Sequence, residues 1–268
     1  GLFQRDRAGE CLVPAAGWLA GVCFGETSGR CRKLRPQFPL ALQMDVDSSE
    51  SIRAGVARVL EQTGGMLDAV FSNAGFGQPG AVEDIPRNAL RQQFETNVFG
   101  TWELVSEVLP VMRRQGHGRI LFNSSVLGFA PMRWRGAYNA SKFALEGMVD
   151  TLRLELDGTG IQVSLVEPGP IVSRFRPNAL QHFLAHVDHL HSVHADVYER
   201  ELQRLQKEGE ATRFTLPASA VAEVVVHALN ARHQKARYRV TFPTHLFWWL
   251  RHVLPQRALD RLLIRAAG

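Results

Sequence analysis

The chain of 268 residues is 45% hydrophobic and 21% charged. That is the balance of one globular domain with a sizeable core, and it excludes disordered, collagen-like and coiled-coil readings. Its net charge of +5 comes from 27 arginines and four lysines against 26 acidic residues, which fits GC-rich codon usage better than a nucleic-acid site. No run of eighteen apolar residues supports a transmembrane helix. The three cysteines, Cys11, Cys23 and Cys31, all lie in the first 31 residues, so a disulfide framework is not expected.

In chain order, residues 11–24 behind Arg5 and Arg7 resemble a signal-peptide core, but Pro14 interrupts the run and the remainder reads as cytoplasmic. From residue 38 onward, short β-like runs alternate with amphipathic helices. Strands are expected at 40–45, 68–72, 118–123, 161–166 and 237–242. Helices are expected at 48–63, 87–115 with a break near Asn97, 137–157 and 217–232. Ser48 offers an N-cap for the first of these, and Pro217 opens the last near its first turn. This order predicts an α/β fold: a doubly wound, Rossmann-like parallel sheet in three layers.

Residues 174–215 break the alternation and are read as a variable segment covering the substrate pocket, with a charged helix at 197–208. They hold five of the ten histidines. His182 and His186, at i and i+4, have the spacing of a metal pair, but no acidic residue completes a known metal motif, so no metal site is expected.

The chemistry concentrates in GAYNASKFALEGM. With three tyrosines and four lysines in the chain, a Tyr-x-x-x-Lys pair arises by chance only about 0.04 times, yet Tyr138 and Lys142 form one. On a helix the two share a face, where an ammonium beside a phenol lowers its pKa from about 10 toward working pH, as a general acid or base requires. Thirteen residues upstream, Ser125 follows the strand run GRILFN, and the carboxyl ends of strands are where open α/β sheets bind ligands.

At these intervals Ser125, Tyr138 and Lys142 resemble the catalytic triad of the short-chain dehydrogenase/reductase family. Further landmarks follow in the family's order. Asp45-Val46 resembles the adenine-contacting pair; Ser72-Asn73-Ala74-Gly75 resembles the N-N-A-G turn, with one substitution. Asn97 matches the helix-breaking residue of the catalytic tetrad, and Pro168-Gly169-Pro170-Ile171-Val172-Ser173 resembles the segment that cradles the nicotinamide.

The resemblance implies hydride transfer with NADP, or alternatively NAD. Tyr138 would move the proton, Ser125 would orient the substrate oxygen, Lys142 would tune the phenol and hold the ribose, and the Asn97 backbone would support a water relay. The cofactor residues implied are Asp45, Val46, Asn73, Ala74, Gly75, Tyr138, Lys142, Pro168, Gly169, Ile171 and Ser173. A homodimer or homotetramer is also implied. Ser124 competes with Ser125 for the catalytic hydroxyl, and the spacing of thirteen favours Ser125.

The front of the chain departs from the pattern. Residues 1–37 contain no G-x-x-x-G-x-G and no preceding β-run, so the first strand and the glycine-rich turn are read as missing or degraded. Gly1 to Ala8 can be encoded so that reading one base later yields G-C-S-S-G-I-G-L. Continued through Lys33, the shifted string includes an A-R-R suited to a 2′-phosphate, hence the preference for NADP. We therefore read 1–37 as aberrant and 38–268 as the catalytic domain, with a catalytically silent family member as the rival reading. Phe129, Met132 and Trp134, between Ser125 and Tyr138, are expected to line a pocket with them for a bulky apolar carbonyl compound or alcohol. The arrangement resembles the aldehyde-, steroid- and retinoid-handling branch of the family, which implies a lipophilic aldehyde, ketone, steroid- or retinoid-like substrate. The apolar and basic run 245–265 is expected to pack on the lid or a partner subunit, with peripheral membrane contact as the alternative.

Overall fold

The computed structural model describes residues 42–266 other than 208 and 211. Four parallel strands, β1 (Ala69–Ser72), β2 (Gly118–Asn123), β3 (Ile161–Glu167) and β4 (Arg237–Arg239), lie in the order β1-β2-β3-β4. The register pairs Ser72 with Phe122 and Phe122 with Leu165, so the first three strands end together. The helices are α1 (Ser49–Gln62), α2 (Arg87–Phe94), α3 (Thr101–Gln115), α4 (Gly136–Glu155), α5 (Phe175–His186), α6 (Ala195–Gln206), α7 (Ala218–Asn230), α8 (Phe242–Val253) and α9 (Gln256–Ala266).

Alternation along the strands builds the three layers. Val70, Ile120, Phe122, Val163 and Leu165 face one side and pack with Ile52 and Val56 of α1, Val105 and Met112 of α3, and Leu145 and Val149 of α4. Phe71, Leu121 and Val166 face the other side, against Val221, Val225 and Ala228 of α7. Each such side chain, fully buried, contributes about 1.5–3 kcal/mol relative to leaving it exposed. A doubly wound parallel sheet results, as the sequence pattern predicts.

Element boundaries differ from expectation at two places. Residues 42–45, expected as the end of a strand, run without β pairing. Among the described residues β1 pairs with β2 and offers them no ladder, and the Asp45 N–H turns instead to the Ser51 hydroxyl at 2.8 Å. β4 ends at Arg239 rather than 242, because Thr241 and Phe242 already start α8. The expected missing first strand and glycine-rich turn lie in residues 1–41, outside the described residues. The expected break at Asn97 is a π-helical turn, Glu95–Gly100, between α2 and α3. α8 and α9 pack Phe247, Leu259 and Leu263 onto Val126, Leu127, Phe129 and Ala130 beside the site, and Phe242 of α8 stacks on Phe214 of the 174–215 segment at 5.3 Å. Among the described residues, no helix is long and apolar enough to cross a membrane.

Candidate active site

The site grows from the carboxyl ends of β2 and β3. The ladder runs on past the strands: Ser124 N–H donates to Val166 O at 2.8 Å and Val126 N–H to Pro168 O at 2.8 Å. Ser125 is thereby held extended, and its Oγ accepts the Leu127 N–H at 3.1 Å, capping a short 3-10 turn, Val126–Gly128. Its hydroxyl also faces the Tyr138 phenol closely enough to draw its pKa down.

Tyr138 and Lys142 come from the first turns of α4, both buried. Lys142 Nζ lies 5.7 Å from the Tyr138 ring centroid and donates to Asn123 O at 2.7 Å, at the end of β2. Asn97 joins through its side chain: Nδ2 donates to Ser141 Oγ and to Phe76 O, and Oδ1 accepts the Phe76 N–H, all at 3.0 Å. Ser141 in turn donates to Tyr138 O at 2.8 Å. The π turn, a geometry frequent at functional sites, thus ties the loop after β1 to the catalytic helix.

The residues singled out for the cofactor are each fixed by local contacts. Asn73 Oδ1 accepts from Asn123 Nδ2 at 2.6 Å, just ahead of Ala74 and Gly75. The Val46 carbonyl lies so close to Gly100 that a Cβ there would sit 2.1 Å from it, which places Asp45-Val46 on the π turn. Pro168 is tied to Val126. Gly169 lies against Thr241, where a Cβ would meet Oγ1 at 2.1 Å, so only glycine fits. Ile171 bridges to Leu216, and the Ser173 hydroxyl accepts the Phe175 N–H at 3.3 Å at the start of α5.

Comparisons with known proteins place the chain in a family. The model of the short chain dehydrogenase family matches residues 27–182. The chain belongs to that family. It is 40% identical over 220 residues to the uncharacterized oxidoreductase YbbO of Escherichia coli K12, covering 82% of this chain and 76% of that protein. It is 35% identical over 203 residues to human 17-beta-hydroxysteroid dehydrogenase type 1, covering 75% of this chain and 60% of that one. A solved short-chain dehydrogenase from Streptomyces avermitilis matches with a TM-score of 0.69 at 26% identity, over 90% of this chain and 83% of its own.

Within this short-chain dehydrogenase, burial governs the electrostatics of the triad. It raises the Tyr138 phenol to about 12, with the Ser125 hydrogen bond pulling it back part way. The phenol is therefore held as the acid form, a correction to the expectation of a pKa already lowered by Lys142: removing the phenolate from water outweighs a cation 5.7 Å from the ring. Burial likewise lowers Lys142 to about 8, opposed by the charge of Glu146 one helical turn on.

Glu146 was not singled out from sequence. It accepts the Ser124 hydroxyl on Oε1 and Arg237 of β4 on Oε2. Arg237 also binds Glu167 at 2.6 Å and Asp150, so one guanidinium joins α4, β3 and β4 behind the site. The spacing of Tyr138, Lys142 and Glu146 at i, i+4 and i+8 was a readable signal for the carboxylate. Arg237 had none, being 91 residues away.

On the substrate side, Phe129 and Met132 pack in one cluster with Tyr138, Phe247 and Leu259 beneath α8 and α9, and Trp134 meets the 174–215 segment by packing on His194 at 5.0 Å. A cavity beside Tyr138 is walled by Gly77, Gln78, Pro79, Arg135, Phe175, Arg176, Ala179, Arg204 and Leu205. Phe175 meets the Tyr138 ring edge-on at 5.2 Å, so α5 covers the phenol. His182 stacks on Phe76 at 3.9 Å and His186 bonds Gln78 Oε1 at 2.9 Å, which gives the histidine pair a packing role against the loop after β1.

Proposed function

We propose that this protein transfers a hydride between a nicotinamide dinucleotide and the carbonyl or carbinol carbon of a lipophilic substrate. The observation that carries the reading is the convergence of the Ser125 hydroxyl, the Tyr138 phenol and the Lys142 ammonium in one buried site at the carboxyl ends of parallel strands.

The residues present fit the nicotinamide half of such a cofactor. Asn123 Oδ1 is buried without a partner among the described residues, next to Lys142, which spends one of its three donors on Asn123 O. That acceptor and those remaining donors suit ribose hydroxyls. Asn73, Ala74, Gly75, Pro168, Gly169, Ile171 and Ser173 would border the cofactor, and Asp45 and Val46 its adenine end. NADP is the preferred form, resting on the shifted-frame reading of residues 1–33. The cofactor, when bound, accepts or supplies the hydride.

Tyr138 holds the proton that passes to the carbonyl oxygen in reduction, and its raised pKa keeps that proton in place until the oxygen becomes basic. Ser125 donates to the same oxygen where negative charge develops. Lys142 keeps a positive charge behind the phenol, which stabilises phenolate after the transfer. The relative named a hydroxysteroid dehydrogenase supports a bulky apolar substrate, and we read the protein as a cytoplasmic homo-oligomer.

The test is a titration of NADPH fluorescence with the purified chain, followed by turnover of long-chain aldehydes. Saturable binding is expected, with Tyr138→Phe retaining it while losing at least about a hundredfold in turnover. Folded protein that shows no saturable NADPH binding overturns the reading in favour of a catalytically silent scaffold.

A further inference from the structure

Three guanidiniums, Arg135, Arg176 and Arg204, wall the cavity that Tyr138 also lines. Glu201 faces them, and it is already engaged by Arg204 through Nε at 3.0 and 3.1 Å and Nη2 at 2.6 Å. Arg135 spends Nη1 on the Met132 sulfur at 3.1 Å, a weak acceptor for a cation. Arg176 bonds Gly209 O through Nη2, and its Nη1 is buried with no partner among the described residues. Among the described residues, three positive charges thus meet one negative charge around a space of about 40 Å³, room for a small polar group. Burial and the charge of Arg204 lower Arg135 to about 10 and also lower Arg176, the direction expected where cations crowd without enough anions.

The backbone delivers Arg135 to this place at a cost. Trp134 has φ 62, a left-handed conformation unfavourable for a bulky residue, and Gly80 N–H pins its carbonyl at 2.9 Å. The strained turn is the N-terminal entry to α4, so one piece of chain sets both Arg135 and, three residues on, Tyr138.

We propose that this cavity binds the carboxylate of the substrate, so that the preferred substrates are oxo acids, or the matching hydroxy acids, with the carboxylate a few bonds from the reacting carbon. The inference rests on the oxidoreductase reading above and narrows its substrate class: Phe175, Ala179 and Leu205 supply apolar wall, and Arg135 and Arg176 supply the charge. Arg204 stays with Glu201.

The probes are γ-oxononanoate and its methyl ester, which share a carbonyl and differ in charge. With NADPH as reductant, kcat/KM is expected to favour the acid by about tenfold or more, the scale of one charged hydrogen-bonding contact. Arg135→Gln and Arg176→Gln are each expected to reduce that ratio by about tenfold, and Arg176→Lys to restore part of it. Equal rates on acid and ester by the wild type overturn the proposal and leave the oxidoreductase reading intact. Variants that weaken NADPH binding and slow both probes alike also overturn it, because the arginines then serve the cofactor. If the wild type turns over neither probe, calorimetric titration with γ-oxononanoate decides: binding that is lost in Arg176→Gln and not seen with the ester upholds the site without the reaction, and its absence overturns the site as well.

Discussion

The Ser124 hydroxyl donates its hydrogen bond to Oε1 of Glu146, and this contact gives two adjacent serines different work. Ser124 is turned inward to the carboxylate on α4, whereas Ser125 points its hydroxyl to Tyr138. The alternation of an extended backbone puts neighbouring side chains on opposite faces, so seating one serves to aim the other.

Glu146→Gln keeps the shape and removes the charge. Ser124 keeps a partner, but Arg237 then faces a neutral amide, and Lys142 loses the nearest opposing charge. We expect a stability loss of about 1–3 kcal/mol in urea unfolding and a fall in turnover of about tenfold. A loss below about 0.5 kcal/mol would contradict the role given to the carboxylate.

Gly128 closes over the same contact. A Cβ there would stand 2.8 Å from both Ser124 Oγ and Glu146 Cγ, so Gly128→Ala forces the pair apart. Overpacking of this kind costs about 1–3 kcal/mol, and because the 3-10 turn carries the cap on Ser125, kcat should fall with it. An alanine variant with wild-type kcat and thermal midpoint would show that the turn can shift freely.

Glu167, fully buried at the end of β3, is pushed up to about 7 by burial and by the charge of Glu146, against the pull of Arg237. A carboxyl whose folded pKa lies above its unfolded value binds more protons when folded. Its contribution is fully present below about 4.5 and is lost as pH rises through about 7. Stability should therefore slope downward between those values, and Glu167→Gln should flatten that part of the profile. Identical slopes in wild type and variant, measured by denaturant titration across the range, would remove Glu167 from the account.

Tyr198 latches the segment over the site. Its buried hydroxyl accepts the Ala81 N–H at 2.9 Å and donates to Asp84, which also takes the Ser192 hydroxyl at 2.6 Å. Tyr198→Phe leaves the Ala81 N–H unsatisfied, at a cost of about 1–3 kcal/mol. The loss should appear as faster amide exchange across α5 and α6 and a higher KM. Unchanged exchange there would mean that apolar packing around Phe183 holds the segment by itself.

The local signals were legible because they are short-range. The Tyr138 and Lys142 pair needs only helical spacing, and the break at Asn97 was readable in FETNVFG, although its π geometry and its hold on Phe76 were not. At 42–45 the apolar run correctly says that the segment is buried, as Met44 is, but an apolar run does not by itself specify β pairing, and none is made among the described residues. Phe129 shows the reverse limit: its position between Ser125 and Tyr138 was readable, but its packing with Phe247 and Leu259 of α8 and α9 comes from segments more than a hundred residues away.

By itself the sequence determined the fold class and the family resemblance and singled out Ser125, Tyr138 and Lys142 as candidates, since all three readings rest on periodicity and on motifs within a few tens of residues. Tertiary structure decided the rest. Arg237 reaches Glu146, Glu167 and Asp150, and Arg176 and Arg204 reach the cavity beside Arg135, through contacts between segments distant in the chain. Charge balance in a buried site is a sum over everything that surrounds it, and no stretch of sequence read alone contains that sum.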